Sequence, residues 1–119
     1  MKVICILILL WLFMLVPAGA EVVTVSTSDS TVVFTNTQAN SAWSPTALVY
    51  QRAEVAPVVL SLYRHGNDQV VLLSSVSVTA SNIIWVPEAR YLFEAGTALV
   101  VDSSIENFSV QLHRVAIDE

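Results

Sequence analysis

Ser75-Val76-Ser77-Val78-Thr79 alternates apolar and hydroxyl residues without a break. A period of two puts valines on one face of a strand and hydroxyls on the other. The stretch just before it, Val70-Val71-Leu72-Leu73, is apolar on both faces. A strand of that kind needs cover on both sides. No window after residue 20 shows helical periodicity, and Val, Ser and Thr dominate there. Branched side chains suit a pleated surface. The chain beyond residue 20 is therefore constrained to be a β protein.

The strands read off in order. Residues 23–26 and 31–35 form the first two, separated by an Asp29-Ser30 turn. Residues 36–45 are polar around Trp43 and read as a loop. A third strand covers residues 46–50, and residues 54–57 are a short connection. A fourth covers 58–64, followed by His65-Gly66-Asn67-Asp68, a hairpin signal because Gly and Asn tolerate positive φ. A fifth runs through residues 69–79, and Ala80-Ser81-Asn82 reads as a turn. A sixth, 83–86, stops at Pro87, which cannot donate to a ladder. Glu94-Ala95-Gly96-Thr97 is a turn into a seventh, 98–101, and Ile105-Glu106-Asn107 turns the chain into a last strand, 108–113. About eight short strands with frequent turns indicate an antiparallel, jelly-roll-like β-sandwich.

Residues 1–20 differ in kind. Lys2 is followed by an apolar run to Val16, then Pro17 and Ala18-Gly19-Ala20. A charged start, an apolar stretch and a small-x-small site describe a signal peptide, with Glu21 as the first residue after cleavage. Kept instead, residues 3–20 would form an apolar helix of about 27 Å, a short membrane anchor. Either way the expected division is 1–20 as signal or anchor and 21–119 as one β-sandwich domain, exported or membrane-anchored. Cys5 is the single cysteine and lies in the apolar run, so the domain has no disulfide.

Charge excludes one class of partner. The formal charge is −5, and after Lys2 there are four arginines and no lysine. Such a surface repels phosphate backbones, so no nucleic-acid partner is expected. Catalytic patterns are absent as well. His65 and His113 lack a third ligand at metal-binding spacing and read as a turn residue and an outward strand residue. Asn67-Asp68 with Asp29 or Asp102 does not repeat oxygen ligands as a calcium loop does. Glu88 and Glu94 flank Arg90 and read as solvated or ion-paired acids rather than an acid/base pair. No nucleophile elbow positions any of the serines. The expectation is a protein without enzyme activity, metal or cofactor.

From Thr46 onward, the order of signals resembles a small β-sandwich module of bacteriophage structural proteins. The matching pieces are residues 58–63, the Val71-Leu72-Leu73-Ser74-Ser75-Val76-Ser77-Val78 strand, the Ser81-Asn82 turn, and Leu92-Phe93-Glu94-Ala95-Gly96-Thr97-Ala98-Leu99. Val101-Asp102-Ser103-Ser104 and Ser109-Val110-Gln111-Leu112 complete the set. The resemblance implies a virion component such as a decoration, spike-base or minor capsid protein. Its partners would be other structural proteins of the assembly; further copies of itself are expected from the residues, packed through the valine-rich strand faces at 70–73 and 83–86. A membrane-containing virion would accommodate the apolar leader through residues 3–20.

Five residues stand out as contacts for a partner or ligand: Trp43, Tyr50, Arg52, Arg64 and Arg90. Arginines give directional contacts to acidic neighbours. Trp43, in a polar loop, is the anchor expected of the alternative function, a secreted or periplasmic module that binds a glycan or a protein through an exposed aromatic.

Overall fold

The computed structural model describes residues 20–37, 41–66 and 68–117. The expected signal or anchor helix lies outside the described residues. Seven strands form a single antiparallel sheet: β1 (Ala20–Thr27), β2 (Thr31–Thr35), β3 (Ala42–Gly66), β4 (Gln69–Trp85), β5 (Phe93–Glu94), β6 (Ala98–Ser103) and β7 (Phe108–Ile117). The all-β, antiparallel expectation holds. The expected set of about eight separate short strands does not.

The difference lies in β3 and β4. Residues 46–50 and 58–64 belong to one strand of 25 residues, and residues 69–79 and 83–85 to one strand of 17. The anticipated breaks are a corner instead. Gln51 faces Asn82 and Ala56 faces Ala80, so four residues of β3 oppose the single Ser81 of β4. Extra residues on one strand bend a ladder without ending it. Asn82 keeps a negative φ; Asp68, Gly96 and Asn107 are the described residues with positive φ. An Asn reads as a turn residue because it tolerates positive φ, and here that tolerance is unused.

β3 is the central strand of both halves of the sheet. On one side it pairs with β7 through residues 42–51, then with β6 through residues 60–65. On its other side it pairs with β5 and then β4. β1 closes the β7 end and β2 the β6 end, giving the order β1-β7-β3-β6-β2. Bent at the corner, the sheet curls so that one face of each half shares a core. That core holds Val32 and Phe34 of β2, Leu48, Tyr50, Val58, Leu60 and Leu62 of β3, Leu99 and Val101 of β6, and Phe108, Val110 and Leu112 of β7. Their spacing of two along each strand is the alternation read from the sequence. The Tyr50 hydroxyl meets Ser103 Oγ at 2.9 Å and ties β3 to β6 inside the core.

The region read as a loop around Trp43 is another correction. Ala42, Trp43, Ser44 and Pro45 already belong to β3 and are buried. Trp43 stacks on Phe93 of β5 with ring centroids 4.5 Å apart and planes within 10°. Nearby, Asn36 is buried and its side-chain amide donates to the carbonyls of Ser41 (3.1 Å) and Phe93 (2.9 Å). Its backbone pairs with Thr97 and Gly96, which fastens the 94–97 turn to the end of β2.

Candidate functional site

Three arginines are held close to the protein rather than offered to a partner. Arg114 of β7 lies over the Trp43 ring at 5.0 Å, and Arg64 of β3 lies over the Phe93 ring at 5.9 Å. The two guanidiniums therefore flank the Trp43–Phe93 stack. Each is worth about 0.5–2 kcal/mol as a cation–π contact, more where water is excluded. Arg114 also pairs with Glu21 of β1, and Arg64 Nε donates to the carbonyl of Leu92 at 3.1 Å. Arg52 sits at the corner, donating to the carbonyls of Glu54 (3.3 Å) and Glu106 (3.5 Å).

The five residues singled out from the sequence thus part company. Trp43 is only 6% exposed, so it is a core residue and not an exposed anchor. Its indole Nε1 is buried and has no hydrogen-bond partner among the described residues. The ring lines a cleft of about 160 Å³ together with Glu21, Asn36 and Arg114. Tyr50 is fully buried and bonded to Ser103, so it meets no ligand from outside. Arg52 and Arg64 are half-buried and bonded to carbonyls. Arg90 is exposed in the segment after β4. The structure does not bring the five together. The signal missed in the sequence was Phe93: its stacking partner lies fifty positions away, and no local pattern links them.

The histidines are also apart. His113 Nε2 lies 2.9 Å from Gln111 Oε1, and His65 makes an edge contact with Tyr63. Among the described residues no three His, Cys, Asp or Glu side chains are grouped as metal ligands. The charges show a different order. Glu21, Asp29, Glu54, Asp68, Glu88, Glu94, Asp102 and Glu106 are all exposed. The acids face water, whereas Arg52, Arg64 and Arg114 are half-buried and engaged with carbonyls, aromatic rings or Glu21.

The most unusual surface is the arm formed by β4 along β3. Val70, Leu72 and Ile84 are 62%, 55% and 68% exposed. Val76 and Val78 stand opposite Leu60 and Val58, which are buried. Residues opposite one another in an antiparallel pair share a face. Both valines therefore lie on the core-side face, yet each keeps more than a third of its surface in water. The other edge of β4 pairs with no described strand. From Gln69 to Pro87 the chain carries no charge. Sheet edges are usually blunted by charge, proline or a bulge.

No family model matches the chain, and no curated protein is similar to it in sequence. Solved structures do resemble it. The nucleoplasmin-like N-terminal domain of Drosophila FKBP39 superposes with a TM-score of 0.50 at 11% identity, covering 87% of this chain and 95% of that one. The core of Drosophila NLP, a structure described as giving insight into pentamer formation and histone binding, gives 0.49 at 10% identity over 83% and 98%. Infectious bursal disease virus, Gt strain, gives 0.26 at 15% identity over 83% of this chain and 30% of that one. The fold is nucleoplasmin-like.

That finding overturns the virion reading. The bacteriophage resemblance rested on strand and turn signals that this fold supplies equally well. The exported or membrane-anchored placement and its signal peptide are overturned with it. Their basis was residues 1–20, of which 1–19 lie outside the described residues. The secreted or periplasmic module goes too, since its anchor, Trp43, is buried.

Proposed function

We propose that residues 21–119 act as one non-enzymatic β module that works as an assembly of identical copies and binds other proteins. The observation that carries this reading is the uncovered β4 arm. A monomer of this size rarely leaves so many large apolar side chains of one strand in water: Val70, Val71, Leu72, Val76, Val78 and Ile84 are all exposed. Burying such surface against another copy contributes about 25 cal/mol per Å². The nucleoplasmin-like fold supports a protein-binding role over catalysis, and the polar side chains with chemical potential are engaged structurally: Tyr50 with Ser103, His113 with Gln111.

The outer partner we infer is a basic protein. The exposed acids favour Lys- and Arg-rich chains and repel nucleic acid, and such contacts weaken as salt screens them. Two measurements test the reading. Sedimentation of the full chain across nanomolar to high micromolar concentration is expected to show self-association; a monomer throughout would overturn it. Titration with a lysine-rich protein is expected to show binding that falls steeply with added salt. Salt-independent binding, or none, would remove the basic partner.

A further inference from the structure

We propose that the open edge of β4 is a strand-pairing site for a second copy of this chain, joined antiparallel about a two-fold axis through Ser77. This rests on the self-association proposed above and names its surface.

β4 is irregular at two points. Between Leu62↔Ser74 and Tyr63↔Leu72 the register shifts, leaving Leu73 without a partner on β3. At the other end Ser81 lies opposite the corner. Between them, Ser74 to Ala80 run in unbroken register with Leu62 to Ala56. Seven residues in register make a straight ladder of about 24 Å.

The sequence of that ladder is close to self-complementary. Two copies antiparallel about Ser77 place Ser77 opposite Ser77, Val76 opposite Val78, and Ser75 opposite Thr79. Apolar residues then meet on the core-side face and hydroxyls on the other. The four valines would continue the core face already formed by Val58 and Leu60, covering the surface that Val76 and Val78 now leave in water. A shift by one residue would set each valine against a hydroxyl on the wrong face, so the pattern rejects one-residue slips.

Electrostatics points to a second copy as the occupant. The chain is acidic, and two copies repel wherever their exposed carboxylates approach. The stretch between Asp68 and Glu88 is uncharged over 19 residues and spans the whole of β4. Two acidic chains can meet along it with no like charges opposed. The contact would be isologous, the same patch on both copies, and so would close as a dimer contact.

Charge pairs and a cross-link test this in the full chain. In the proposed register, Ser75→Glu with Thr79→Lys creates two attractive pairs across the axis. Ser75→Lys with Thr79→Lys creates two repulsive ones at the same positions. The dimer dissociation constants should differ by roughly tenfold or more, since two attractive pairs are exchanged for two repulsive ones and each opposed pair on a sheet contributes up to ~1 kcal/mol. Circular dichroism of both variants checks that the sheet is kept. In a Cys5→Ser background, Ser77→Cys should cross-link to itself under mild oxidation, because side chains opposed on neighbouring strands lie within disulfide reach. Ala89→Cys, exposed beyond β4, is the control and should link far more slowly. Association with equal constants for the two charge variants, and no preference for Cys at 77, would overturn edge pairing while leaving self-association by another surface. Monomers at every concentration would overturn both.

Discussion

β6 and β4 are both valine-rich strands paired to β3, and they differ in nearly every other respect. Ala98, Leu99, Val100 and Val101 are all buried. Val70, Val71 and Leu72, of the same residue types, are exposed. Composition does not distinguish the two runs; neighbours do. β6 has β3 on one side and β2 on the other. Its core face meets Leu62 and Phe34 across the ladders. β4 has β3 on one side and no described strand on the other. A run apolar on both faces states a need for cover without saying whether its own chain or another copy supplies it.

The contrast predicts the largest effects inside the sheet. Leu99→Ala at the centre of β6 removes a fully buried side chain and should cost about 2–5 kcal/mol, read by urea unfolding of the dilute monomer. Trp43→Ala empties the space above Phe93 and also removes the ring that Arg114 lies over. It should cost about 3–5 kcal/mol. A loss below about 1 kcal/mol in either would mean that the core drawn around β6 is wrong.

The turns that feed the two strands sharpen the comparison at smaller scale. The turn into β6 has Gly96 at φ 86° and is fastened to Asn36. The turn into β4 has Asp68 at φ 61° and is exposed. Left-handed backbone costs a non-glycine residue roughly 1–2 kcal/mol. Gly96→Ala should therefore destabilise by about that amount, although a Cβ there meets no atom within 4 Å. Asp68→Gly should be neutral or slightly stabilising, as strain relief offsets the added freedom of the unfolded chain. Both are read by thermal unfolding. Equal effects at the two turns would remove the distinction between a fastened and a free hairpin end.

Local signals were legible in proportion to how local their causes are. The alternation of residues 75–79, the turn at Gly96 and the turn at Asn107 depend on neighbours in sequence and are legible there, although the exposure of Val76 and Val78 is not. Nor is the corner. Gln51 and Asn82 are brought opposite by register, and whether Arg52 to Val55 break the strand or bend it is decided by pairing with β4. The candidate contacts failed for the same reason. Trp43 sits among Asn40, Ser41 and Ser44 and reads as exposed, but its burial is set by Phe93, and Tyr50 owes its burial to Phe108 and Ser103. The exposure of β4 is the converse case: an apolar strand reads as core, and only the strand order reveals its free edge.

The smallest predicted effect is the most discriminating for β4. Leu72 lies beyond the bulge at Leu73 and outside the seven-residue ladder proposed to pair between copies. It is more than half exposed. Leu72→Ser removes apolar surface that the monomer does not bury, so its unfolding free energy should change by no more than about 0.5 kcal/mol. The same change in β6 would place an unpartnered hydroxyl in the core and cost several times more. Urea unfolding at concentrations well below self-association makes the measurement on the monomer alone. A cost above about 1.5 kcal/mol would mean that the chain covers this end of β4 itself, and the strip would then be part of the monomer's core rather than a surface kept for a second copy.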